Sequence, residues 1–95
     1  MHNKTLYPFS TNDILRIRYL TKNDPHNMRL TIRRKKIYCE YRTPYIHNFR
    51  ITCNKMGYVI DMDESERVIT TGDMSSVLVI MKSMMKDYDK VRNNA

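Results

Sequence analysis

A chain of 95 residues has room for one modest hydrophobic core, and 41% apolar with 28% charged residues is the composition of a single folded domain spanning 1–95. Two cysteines, Cys39 and Cys53, are too few for a disulfide-stapled secreted scaffold, and no apolar run approaches the ~20 residues of a membrane span. Net charge is +7 but uneven: residues 1–60 carry twelve Lys and Arg against three carboxylates, net +9, while 61–95 carry five against seven, net −2.

In chain order, MHNKTLYPFS lacks the apolar centre of a signal peptide, so the expected location is cytoplasmic, with no membrane partner. Ser10-Thr11-Asn12-Asp13 then offers a helix start, with Ser10 as cap and Asp13 at the favourable end. The next residues also alternate like a strand, Leu15, Ile17 and Tyr19 against Arg16 and Arg18. The capping groups tip the reading of residues 11–20 slightly to helix. Asn23-Asp24-Pro25-His26-Asn27 breaks the element, because a residue before Pro is pushed out of the helical region.

From Met28 the period changes to two. Met28–Arg33 and Ile37–Arg42 alternate as strands around the turn Arg34-Lys35-Lys36, and Thr43–Asn48 reads as a loop. Phe49–Cys53 and Tyr58–Met62 flank Asn54-Lys55-Met56-Gly57, a good hairpin connection. A short strand near Arg67–Thr70 follows the acidic turn Asp63-Glu64-Ser65-Glu66. The last element is a long amphipathic helix over about 73–92: Thr71-Gly72-Asp73 supplies caps, and Val77, Met81, Met84, Tyr88 and Val91 recur at helical spacing. Leu78, Ile80 and Met85 widen that stripe enough to cover a sheet and leave a margin for a second copy in a homodimer. The expected fold class is therefore α+β: an antiparallel sheet of four to five strands, a C-terminal helix on one face and a short N-terminal element. In element order alone this resembles the small strand-then-helix single-stranded-DNA binders of the whirly and transcriptional-coactivator type.

The residues that suggest chemistry are cations. Arg33, Arg34, Lys35 and Lys36 sit together at a hairpin tip, where they can reach phosphates. If Ile37, Cys39 and Tyr41 face the core, Tyr38 and Arg42 share the outer face, and Arg50 and Thr52 extend it on a neighbouring strand. That makes a basic, Tyr-bearing surface on which a base can stack.

Other constellations are weaker. Cys39, His47 and Cys53 lack the close spacing of structural zinc ligands, and alternation places both thiols in the core. A Cys39–His47 nucleophilic pair has no orienting third group or oxyanion loop. Asp61, Asp63, Glu64 and Glu66 lack the glycine and terminal glutamate of a calcium loop and read as a charged turn. No phosphate-cradling glycine loop or nucleophile elbow occurs. The expectation is a non-enzymatic protein without metal or cofactor, binding nucleic acid, single-stranded DNA or RNA foremost, through Arg33, Arg34, Lys35, Lys36, Tyr38, Arg42 and Arg50. The alternative is a protein-interaction module, for example a phage- or virus-encoded modulator of a host enzyme or nucleoprotein complex. It would use the basic face on an acidic partner, or the cluster Met81, Met84 and Met85 if exposed. Frequent Asn, Lys, Ile, Tyr and Met suit the A/T-rich genomes common among phages and viruses.

Overall fold

The computed structural model describes residues 5–22, 28–40, 48–62 and 68–93, with side chains up to Lys86 in the last segment. In chain order they form β1 (Leu6–Tyr7), α1 (Thr11–Lys22), β2 (Arg29–Ile32), β3 (Ile37–Glu40), β4 (Phe49–Asn54), β5 (Gly57–Met62), β6 (Val68–Thr71) and α2 (Met74–Asn93). The fold class is α+β. Among the described residues, no helix is long and apolar enough to cross a membrane.

The conflict over residues 11–20 resolves as helix, and a short strand, β1, precedes it outside that segment. Ser10 caps α1: its hydroxyl accepts the Asp13 amide at 3.1 Å, and its carbonyl accepts the Ile14 amide at 3.1 Å. Coiling the chain breaks the strand-like alternation, so that of Leu15, Ile17 and Tyr19 only Ile17 is buried. Before the helix, Leu6 and Tyr7 pair with Asn54 and Cys53. They occupy the part of the β4 edge that β3 leaves open, since β3 pairs only with Phe49–Ile51.

Strands β2 to β6 form an antiparallel meander in sequence order, as the hairpin signals require, and β1 makes six strands where four to five are read from the sequence. The register lines up one residue type across the sheet: Ile32, Ile37, Ile51, Ile60 and Ile69 face one another strand by strand. The three central members have no solvent exposure. Burying an isoleucine so completely is worth roughly 1.5–3 kcal/mol, so this row is the spine of the core. Leu30, Cys39, Phe49 and Met62 form a second row on the same face.

Both helices contribute to that face. Ile17 of α1 joins Met74, Val77 and Met81 of α2 in one cluster with the sheet residues. The inward stripe of α2 follows the predicted spacing through Met81, with Met84 partly buried; the side chains of Tyr88 and Val91 lie outside the described residues. Asp73 caps α2, accepting the Ser76 amide at 2.7 Å, and this bond holds its carboxyl below the usual range. Tyr58 links α1 to the sheet by donating to Asp13, and its ring stacks on Phe9 with centroids 6.3 Å apart. Burial, then that hydrogen bond, raise the Tyr58 hydroxyl pKa above its ordinary value.

Candidate nucleic-acid interface at the first hairpin tip

The basic tip is built by the pairing that ends at Ile32 opposite Ile37. Beyond it the Arg33 amide donates to the Lys36 carbonyl at 2.9 Å, closing a four-residue connection in which every side chain is cationic. A second backbone bond anchors the tip from outside the hairpin, because the Phe9 amide donates to the Arg34 carbonyl at 3.2 Å. Phe9 is itself a core residue, so its backbone ties the tip to the folded body.

Arg33, Arg34 and Lys35 are exposed and Lys36 is half-buried. Among the described residues no carboxylate pairs with any of the four. Lys36 Nζ lies 6.0 Å from the centre of the Tyr38 ring, at the outer range of a cation–π contact. Tyr38 stands on the sheet face opposite the isoleucines, in a row that reads Thr31, Tyr38, Arg50, Asp61 and Val68 across five strands.

That row qualifies the sequence reading of Arg50. Its guanidinium donates to Asp61 at 3.1 Å, with the two side chains 33% and 45% exposed, so much of its field is already answered. An ion pair this wet contributes about 0–1 kcal/mol to stability, yet it still cancels charge at the surface. The structure thus groups Arg33, Arg34, Lys35, Lys36 and Tyr38, places Arg50 beside Tyr38 but paired, and leaves Arg42 outside the described residues. Of the acidic cluster only Asp61 is described, and its role is this ion pair. Asp63, Glu64 and Glu66 lie outside the described residues, as do Tyr41 and His47.

The cysteines separate. Cys39 is fully buried in the second core row, and burial, with Glu40 adding, pushes its thiol up to about 12. Cys53 packs against the core as expected from alternation but is only partly buried; burial first, then Asp13, raise its thiol as well. Neither thiol is activated toward the thiolate. Among the described residues no group of three or more His, Cys, Asp or Glu side chains is arranged to hold a metal.

One feature escaped the sequence reading. Between α1 and α2 runs a groove of about 590 Å³ lined by Leu15, Arg16, Tyr19, Leu20, Leu78 and Lys82. Leu15 and Tyr19 are 58% and 75% exposed. Their four-residue spacing on a helix was the available signal. The methionines offered as an adaptable surface do not line it: Met81 is fully buried, and Met84 and Met85 pack partly on the core.

The fold and tip define a class, a one-sheet α+β domain with both helices on one face and a cationic hairpin tip at its edge. Comparison of the chain with protein-family models, with curated proteins and with solved structures returned no match in any of the three.

Proposed function

We propose that the protein is a non-enzymatic accessory protein that binds nucleic acid at the β2–β3 tip, favouring single-stranded DNA or RNA. The observation that carries this reading is the tip itself: four successive cations on a backbone-closed, core-anchored turn with no described carboxylate among them. Arg33, Arg34 and Lys35 contact phosphates, while Lys36 and the Tyr38 ring form the side on which an unpaired base stacks. Arg50 is a secondary contact because Asp61 shares it, and Arg42 follows on from β3 in the chain. Single strands are favoured because one ring beside a short cationic turn suits splayed bases, whereas reading a duplex calls for an element that enters a groove.

Neutralising three phosphates gives log K a slope against log salt of about −2.1 on single strands, so affinity falls about twenty-fold from about 50 to 200 mM salt. The test is fluorescence anisotropy of labelled single-stranded and duplex DNA and RNA across that salt range. It compares the wild type with the variant carrying Arg33→Ala, Arg34→Ala, Lys35→Ala and Lys36→Ala. The reading requires micromolar or tighter binding that weakens with salt and is lost in the variant, with its melting temperature unchanged. Absence of binding at physiological salt, or equal binding by the variant, overturns it.

A further inference from the structure

The α1–α2 groove lies on helices, away from the hairpin tip in the chain, and its composition differs from the tip's. Leu15 and Tyr19 stand one turn apart on α1, and Leu78 and Lys82 stand one turn apart on α2. Leu20, partly buried against the core, also lines the groove. Two helix ridges with an apolar trough between them are the receptor half of helix-in-groove recognition, in which a third helix lays its own i, i+4 ridge into the trough. Scattered exposed apolar residues need no explanation, but Leu15 and Tyr19 are both more than half exposed and both line one depression.

The charge around the groove selects the occupant. Arg16 and Lys82 line it, and Arg18 and Lys22 are exposed on the same helix as Arg16. Arg16 is held in position by donating to Ser75 on α2 at 2.9 Å, so the cation spans the helix pair. Among the described residues no carboxylate lines the groove. Asp13, on the same helix, accepts the Tyr58 hydroxyl on the sheet side, and Asp73 accepts the Ser76 amide at the α2 cap. A second copy of this chain would bring the same cations against these, and like charges juxtaposed at an interface oppose association.

We propose that this groove docks an acidic amphipathic helix of a partner protein: apolar side chains enter between Leu15, Tyr19 and Leu78, and flanking Glu or Asp pair with Arg16, Arg18 and Lys82. The proposal stands independently of nucleic-acid binding at the tip.

The test uses the full chain and three labelled synthetic peptides of about five helical turns, some 18 residues. One carries Leu and Phe at i, i+3, i+4 and i+7 with Glu elsewhere, one has every Glu replaced by Lys, and one is a scramble of the acidic peptide. Affinities are read by anisotropy and the contact face by amide chemical-shift mapping. The ordered acidic peptide binds in the micromolar range, the other two bind on the order of tenfold more weakly or not at all, and the shifts fall on α1 and α2. Tyr19→Asp and Lys82→Glu each weaken binding on the order of tenfold, as loss of an anchor or a reversed charge should. Both side chains are exposed, so these variants keep the fold, while the four-alanine tip variant binds the peptide as the wild type does. Equal binding of ordered and scrambled acidic peptides, shifts confined to the tip, or indifference to Tyr19→Asp and Lys82→Glu overturns the proposal. So does a concentration-dependent dimer abolished by Tyr19→Asp, which gives the groove to a second copy, or oligonucleotide-induced shifts centred on the groove.

Discussion

Two glycines in this chain make opposite predictions from the same substitution. Gly57 opens β5 after the Lys55-Met56 turn, where the Asn54 side chain accepts the Met56 amide at 2.8 Å, and it has φ of 132°. An alanine Cβ there would sit 2.3 Å from the Thr71 carbonyl oxygen and 2.8 Å from the Gly72 Cα. A relaxed carbon–oxygen contact is about 3.3–3.6 Å, so the clash is an ångström deep. Its targets are backbone atoms at the end of β6, where Thr71 is paired with Tyr58. Relief means parting β5 from β6. Unfavourable φ costs about 1–3 kcal/mol and forced overpacking about 1–3 more, placing Gly57→Ala near 4 kcal/mol. A domain of this size shifts its melting temperature by about 4–8 °C per kcal/mol, so the drop is about 16–32 °C. At Gly72 no atom lies within 4 Å of the added Cβ, and φ lies outside the strained positive range. Gly72→Ala therefore holds or gains up to about 1 kcal/mol by restricting the unfolded chain. Thermal melts followed by far-ultraviolet circular dichroism decide it. Comparable melting of Gly57→Ala and wild type, or comparable losses in both variants, would refute the steric argument.

Two further outcomes follow from the site. Arg50→Ala weakens oligonucleotide binding less than Arg34→Ala does, and Asp61→Asn tightens it, because Asp61 already answers the Arg50 charge; anisotropy titration of the three variants in one buffer checks the order, and a larger loss at Arg50 contradicts it. In Cys53→Ser protein, Cys39 reacts with a thiol-specific disulfide reagent only at the rate of unfolding, since burial keeps it protonated well above neutral pH; rapid stoichiometric labelling of the folded variant would show that β3 is open.

How much could be read beforehand depended on whether a feature is local. The inward stripe Val77 and Met81 and the Asp73 cap lie within one helix, and periodicity finds them. The Arg50–Asp61 pair was also within reach, because a two-residue turn at Lys55-Met56 pairs Asn54 with Gly57 and counting outward sets Arg50 opposite Asp61. Counting across the acidic turn at 63–66 likewise sets Ile60 opposite Ile69, but the turn read at 34–36 and the loop read at 43–48 count to other registers, so the Ile32–Ile37 and Ile37–Ile51 pairings were not legible in this way. Strand β1 was out of reach: two residues carry no period, and their pairing depends on β4 outrunning β3. The groove was hidden for a similar reason. With residues 11–20 tipped only slightly to helix, a buried strand face for Leu15 and Tyr19 stayed open beside the rim of a helix pair.

The tip offers the strongest separation between what folding needs and what the residues supply. Its conformation rests on backbone bonds, Arg33 amide to Lys36 carbonyl and Phe9 amide to Arg34 carbonyl, and neither uses a side chain. A turn selected for stability alone favours Asn, Asp or Gly, each of which eases a tight backbone path. Four adjacent cations instead repel one another, and among the described residues no carboxylate offsets them. The sheet does not require that repulsion, since its stability lies in the row from Ile32 to Ile69 on the opposite face from Tyr38. The same separation holds at the groove, where Ile17 supplies the burial of α1 and Leu15 and Tyr19 remain exposed. Residues that cost stability or leave apolar surface wet, while the core is complete without them, are the ones on which the proposed nucleic-acid and helix-docking roles rest.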